Sequence, residues 1–378
     1  MPSSPKILFL SVSAGAGHTR AADALKEATL LLDPKAEVRH LDVMDHVPST
    51  FRKIYTDYYI KLVTRHPAIW GMLYQASSEA PPDAMSQKLR RAVERLSSRP
   101  LRGAIDAFAP DAIVCTHFLP AELLMREIGK SRLGVPVFVQ ITDFDLHRMW
   151  VIPRMTGFFA GNEEVAFRLR AHGVEAAHIH VTGIPIMPAF AQSHDRAACA
   201  MAFGLDPARR TYLLMGGGAG LGVAPLAKRL AAIDSELQLV VLAGRNKPVL
   251  EDLQAAAAGQ PGRLFPLGFT NEVPRLMAAA DLVITKPGGL STSECLAMGV
   301  PMLLSAPIPG QEERNADYLL ENGAAMKAID EVGLDYHIAL LKAEPQRLEA
   351  MRRNARALGR PRAGEDAMKI VLEKTAIV

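Results

Sequence analysis

Cysteine is scarce: Cys115, Cys199 and Cys295 are the three in a chain of 378 residues. None falls in a C-x-x-C spacing, so neither a disulfide framework nor a zinc site organises the fold, and a reducing compartment fits. No apolar run approaches the roughly 20 residues that span a bilayer. The first such run, residues 7–10, is too short for a signal-peptide core and ends in a glycine loop, so the expected location is cytoplasmic. Aromatic residues amount to 6%, and charges nearly cancel at a net +3. The dinucleotide fingerprint G-x-G-x-x-G is also missing: its third glycine position holds Arg20 in one glycine loop and Leu221 in another. A run ending Gly129-Lys130-Ser131 imitates a P-loop, but Leu124 stands where the first glycine is needed.

What is present is alternation. Short β-rich runs at residues 113–115, 137–139, 239–242 and 282–284 alternate with helical patterns, which predicts parallel α/β layers. Two segments read as parallel openings, "KILFLSVSAGAGH" and "RTYLLMGGGAGLG", each an apolar strand followed by a glycine-rich turn. The proline-bearing "TGIPIMPAF" lies between them and predicts a division near residue 188. Two facing α/β domains create a cleft at the carboxyl ends of their strands. The expected domains are residues 1–187, 188–352, and a helical segment 353–378.

Within the first loop, Gly15 and Gly17 precede His18 at the start of a helix, where backbone N–H groups attract anions. Imidazole is the side chain that exchanges a proton near neutral pH, so His18 reads either as a base or as a cap or phosphate ligand. The positive helix end is expected to keep the ring neutral. In "DFD", Asp143 and Asp145 form either a hydrogen-bonding turn or a metal-binding pair.

The stretch "ADLVITKPGGLSTSECLAMGVPMLLSAPIPGQEERNADYL" carries most information. A strand runs into Lys286, Gly288 and Gly289, after which a helix is expected to begin around residues 291–293, a terminus suited to a diphosphate. Glu294 is expected to point from its first turn, where a carboxylate accepts two ribose hydroxyls. Gln311, Glu312 and Asn315 add amide and carboxyl groups able to match a sugar.

Residues 51–102 hold ten Lys or Arg against four Asp or Glu. Phe51, Tyr55, Tyr58 and Tyr59 fall on one helical stripe flanked by Lys53 and Lys61. Such a segment either lies at the surface of an anionic membrane or packs on the first domain's sheet. No recognition motif accompanies the charge, so nucleic acid is not an expected partner.

The motifs "GAGH", "TDFDLHRMW", "VTGIPI", "GGGAG", "GFTNEVPRLMAAAD", "KPGGLSTSE" and "PGQEERNA" occur in this order along nearly the whole chain. In this the sequence resembles the GT-B glycosyltransferases of the monogalactosyldiacylglycerol synthase and processive diacylglycerol glucosyltransferase group. The resemblance implies an α/β fold of two Rossmann-like domains facing across a cleft. It implies a UDP-sugar-dependent hexosyltransferase that transfers glucose, galactose or glucuronic acid to diacylglycerol with inversion. No cofactor or metal beyond the donor is expected, and anionic membrane lipids are expected partners of a peripheral protein at the inner membrane face.

By the same resemblance His18 is the base, with Asp143 a conceivable orienting carboxylate. Gly15, Gly17, Asp143, His147 and Trp150 are expected near the acceptor. The diphosphate falls to Gly216, Gly217, Gly218, Gly220, Lys286, Gly288 and Gly289, the uracil to Phe269 and Met277, the ribose to Glu294, and the sugar to Gln311, Glu312 and Asn315. The open alternatives are a soluble or polyprenyl-linked acceptor, a UDP-sugar epimerase, and a sensor without turnover.

Overall fold

A computed structural model of the chain describes residues 4–13, 15–49, 52, 71–72, 99–217, 220, 222–305 and 307–375. The membrane-facing expectation for Phe51, Lys53, Tyr55, Tyr58, Tyr59 and Lys61 lies outside them, as does Gly218. The chain forms two compact units: one of Met1–Pro188, Ile308–Arg314 and Arg362–Val378, the other of Ala189–Pro307 and Asn315–Pro361. Thus the residues from 353 to 361 group with the second unit, and a short loop-and-helix piece around Gln311 groups with the first.

The first unit's sheet contains β1 (Lys6–Ser11), β2 (Glu37–Asp42), β3 (Ala112–Cys115), β4 (Val137–Gln140), β5 (Gly157–Ala160) and β6 (Ile179–Val181), in the order β2-β1-β3-β4-β5-β6. Every pairing is parallel. A parallel strand covered on both faces needs apolar residues at every position, which is why residues 7–10 read as an unbroken run. Ile7 and Phe9 pack on one face with Ala22, Leu25, Phe138 and Phe159; Leu8 and Leu10 pack on the other with Leu119, Val139 and Trp150.

The helix Ala363–Thr375 lies on the helix Gly17–Leu32, its Met368 and Val371 within the first of these clusters. Gly364 allows the approach, since a Cβ there stands 3.2 Å from the Ala28 Cβ. On the second strand, His40 links three elements: Nε2 is 2.7 Å from the Ser11 hydroxyl and Nδ1 is 2.9 Å from the Asp23 carboxylate. Ser11 has no exposed surface, so this Ser-His-Asp chain is a structural tie and not an attacking group.

The second unit repeats the plan with β7 (Thr211–Met215), β8 (Gln238–Leu242), β9 (Leu264–Leu267), β10 (Leu282–Thr285), β11 (Met302–Ser305) and β12 (Ala325–Ala328), ordered β12-β11-β10-β7-β8-β9 and all parallel. Its core joins Leu214, Val241, Ile284 and Leu303 to Leu334 and Ile338 of the helix Glu331–Ala343.

Each sheet has one place where the chain reverses its direction of growth, between β1 and β3 in the first and between β7 and β10 in the second. Ligands of open parallel sheets bind outside the carboxyl ends of the strands at such points. The glycine loops after β1, β7 and β10 all open there.

Candidate functional site

His18 is the second residue of the helix Gly17–Leu32, directly above the β1/β3 reversal. Its Nδ1 is 2.9 Å from the backbone carbonyl oxygen of Thr116 and 3.0 Å from the Thr142 hydroxyl. A carbonyl oxygen only accepts, so Nδ1 carries the proton and Nε2 is left as the basic nitrogen. The Thr116 hydroxyl also donates to the backbone oxygen of His18 at 2.8 Å. The groups on Nδ1 are therefore a carbonyl and a hydroxyl, where Asp143 was a conceivable orienting carboxylate.

Burial lowers the His18 pKa from 6.5 to about 4, with the Thr116 bond acting in the opposite sense. The ring is neutral at physiological pH, as expected, but the leading cause is desolvation and not the helix end. The rings of His117 and Trp150 lie 4.6 and 6.2 Å away. Gly15 sits exposed in the loop with φ +91°, and Gly17 opens the helix.

The acidic pair is engaged by arginine and amide groups. Asp143 accepts from the Gln311 side chain at 2.7 Å, and Asp145 pairs with Arg314 at 2.6 Å and with Arg168 at 3.3 Å. All of these residues belong to the first unit. This is the hydrogen-bonding alternative for "DFD", and among the described residues no group of three His, Cys, Asp or Glu side chains gathers as a metal ligand set. His147 accepts from the Met149 N–H at 3.2 Å and so caps the short turn Arg148–Trp150, which buries Trp150. Beside this turn opens a cavity of about 540 Å³ lined by Phe118, Met149, Ile152, Met155, Phe158 and Val174, with Arg148 and Arg154 also in its wall.

In the second unit, the loop after β7 and the loop after β10 border a cavity of about 250 Å³ that includes Gly216, Gly222, Lys286 and Ser305. Gly217 is exposed, and Gly220 has φ +59° with no room for a Cβ against the Ala243 carbonyl. Gly288 is the N-cap of the helix Gly289–Met298, which starts two residues earlier than expected. Glu294 consequently lies in its second turn and is buried.

Met277, expected at the uracil, lies in the helix Val273–Ala279 and is fully buried. Phe269 is 51% exposed, and the Arg245 guanidinium stands 4.1 Å over its ring. Glu312 accepts from the Ile308 N–H at 2.7 Å, tying its loop to the helix Gln311–Glu321, and Asn315 is enclosed.

Thr116, His117, Thr142 and Arg245 were not singled out from the sequence. The signal for the first two was a Thr-His pair at the carboxyl end of the run 113–115, but only the β1/β3 pairing brings it to His18, about a hundred residues away.

A pair of parallel sheets, each with a glycine loop at its reversal point, defines a two-domain α/β protein of GT-B architecture. Solved structures agree at the level of fold: Acinetobacter baumannii MurG is 15% identical with a TM-score of 0.61 over 98% of this chain and 99% of that one. UDP-GlcNAc 2-epimerase from Neisseria meningitidis is 15% identical with a TM-score of 0.59 over 99% and 100%.

Within that class, residues 18–186 match the monogalactosyldiacylglycerol (MGDG) synthase family and residues 223–358 match glycosyl transferases group 1. Processive diacylglycerol beta-glucosyltransferase of Bacillus pumilus is 26% identical over 100% of this chain and 97% of its own length. Monogalactosyldiacylglycerol synthase 1, chloroplastic, of Arabidopsis thaliana is 29% identical over 95% of this chain and 69% of its own. The chain thus resembles, along its length, the monogalactosyldiacylglycerol synthase and processive diacylglycerol glucosyltransferase group of GT-B glycosyltransferases.

Proposed function

We propose that this protein makes a glycolipid by moving a hexose from a UDP-sugar to the hydroxyl of diacylglycerol, with inversion and without a metal ion. The observation that carries the reading is the His18 ring at the carboxyl end of a parallel sheet, neutral, with its proton on Nδ1 and Nε2 therefore its basic nitrogen. The names of its relatives supply the substrate classes.

In this reading the acceptor hydroxyl gives its proton to Nε2 as its oxygen bonds to the anomeric carbon. The bond from that carbon to the UDP oxygen breaks on the opposite face, and the electron pair leaves with UDP. Backbone N–H groups of the loops at Gly216–Gly222 and Gly288–Gly289 receive the diphosphate charge, with Lys286 beside them. Glu294 and the Gln311–Asn315 region are assigned to the ribose and the sugar.

The cavity beside Phe118, Met149 and Phe158, whose wall also carries Glu122, Arg148, Arg154 and Glu175, is assigned to the acceptor. The basic excess of residues 51–102 supports peripheral contact with anionic lipid at the inner membrane face. Among the described residues no helix is long and apolar enough to cross a membrane.

The test is UDP release by purified protein across a panel of UDP-sugars, with and without diacylglycerol in anionic vesicles, and with His18→Ala as control. Release that requires one sugar and the lipid, and collapses in the variant, is the expected result. Release indifferent to lipid overturns the acceptor assignment in favour of a soluble acceptor or epimerisation, and binding without release points to a sensor.

A further inference from the structure

We propose that His117 is a positioning residue for His18, an inference that rests on reading His18 as the base. His117 occupies the N-cap of the helix Phe118–Gly129, where its Nδ1 accepts the Leu119 N–H at 3.0 Å. Short oxygen-bearing side chains are the preferred residues at that position, so capping alone gives no reason for an imidazole. The ring's surroundings give one. It is 3% exposed and stands perpendicular to the His18 ring, at 88° with centroids 4.6 Å apart. On its other sides are Phe118 at 4.1 Å and Trp150 at 6.1 Å.

The two histidines hold complementary tautomers. Because Nδ1 of His117 accepts a backbone N–H, its proton is on Nε2, and a second proton on Nδ1 breaks the cap. Burial and the neighbouring His18 further oppose charge on this ring. His117 therefore stays neutral and does not compete for the proton that His18 takes up.

What it contributes is direction. The Thr116 carbonyl and the Thr142 hydroxyl both meet the His18 ring at one atom, Nδ1, and so leave it able to pivot about that end; the perpendicular His117 ring packed against it restrains this pivot and with it the direction of Nε2. Two of these restraints come from consecutive residues, Thr116 and His117, on the turn that follows β3. A misplacement of about 1 Å in a reacting group costs up to about 100-fold in rate, so the wedge has an effect large enough to measure.

Two variants separate the ring from the cap. His117→Asn keeps an oxygen for the Leu119 N–H and removes the ring; His117→Phe keeps a ring and removes the acceptor. Assayed with UDP-glucose and UDP-galactose on dioleoylglycerol in anionic vesicles, His117→Asn is expected to lose about 10- to 100-fold in kcat. Its donor KM and unfolding midpoint are expected to stay near those of the wild type. His117→Phe is expected to keep most of kcat and to melt lower.

The inverse pattern, an active Asn variant and an inactive or unstable Phe variant, reduces His117 to a helix cap and overturns the proposal. Where the Phe variant does not fold, the Asn variant decides alone, since full kcat there refutes positioning. His18→Ala is run alongside. Wild-type turnover in it overturns the base reading and this proposal with it, whereas its loss beside a fully active His117→Asn overturns the positioning role alone.

Discussion

Acid titration of His18 offers a prediction that needs no substrate. An exposed imidazole takes a proton with a pKa of about 6.5, whereas burial holds His18 at about 4 in the folded chain. Its folded-state value is thus depressed for a base that is charged when protonated. At neutral pH neither state holds the proton and nothing is lost. As pH falls below 6.5 the unfolded chain takes up the proton first, and stability drops until about pH 4, where the folded chain takes it too. Each unit of separation corresponds to about 1.4 kcal/mol, so at pH 4.5 the penalty amounts to about 2–3 kcal/mol.

Two measurements read this. An NMR titration of the His18 ring is expected to show a midpoint near 4, and His18→Gln is expected to lose less stability than the wild type between pH 7 and pH 4.5. A ring midpoint near 6.5, with equal acid sensitivity in wild type and variant, refutes the argument that desolvation keeps the base neutral. Turnover carries the same signature: its acid limb is expected well below pH 6, because the form that accepts a proton persists there.

Other outcomes follow from the remaining geometry. His40→Ala removes the partner of the fully buried Ser11 hydroxyl and is expected to cost about 1–3 kcal/mol in chemical denaturation, with an unchanged midpoint contradicting the tie. Gly220→Ala meets both a left-handed backbone and the Ala243 carbonyl, so calorimetry is expected to show UDP binding weakened about tenfold or more; wild-type affinity removes this loop from the donor site. Chelation by EDTA is expected to leave turnover unchanged, since Asp143 and Asp145 are bonded to Gln311, Arg314 and Arg168; loss restored by a divalent cation contradicts this reading of the acidic pair.

Much of this was legible in the residues themselves. The strands at 7–10, 113–115, 239–242 and 282–284 stood out because parallel strands buried on both faces carry apolar residues without interruption. The glycine loops were legible as turns because each follows an apolar strand run directly. The place of His18 at the start of a helix was legible because it follows two loop glycines and precedes a helical pattern.

Properties that depend on non-local packing were not. Nothing local marks Met277 as fully buried, since a methionine in a core and one lining a base pocket read alike in sequence. One partner of His18 Nδ1 is a backbone carbonyl, which leaves no mark on side-chain identity, and the other is the hydroxyl of Thr142, 124 residues along the chain. Gln311 was assigned with the second half of the chain by sequence position, while its side chain is bonded to Asp143 in the first unit. The start of the helix at Gly289 was missed by two residues because glycine is a poor helix former whose backbone here is set by the loop that precedes it.

Transfer of the sugar to lipid is tested most directly by supplying UDP-hexose labelled with ¹³C at the anomeric carbon together with diacylglycerol in anionic vesicles, then extracting the lipid for NMR. The expected product is glycosyldiacylglycerol with the label in a β linkage, formed by inversion of the α-linked donor. An α-linked product contradicts the inverting mechanism assigned to His18, and UDP release without labelled lipid contradicts diacylglycerol as the acceptor.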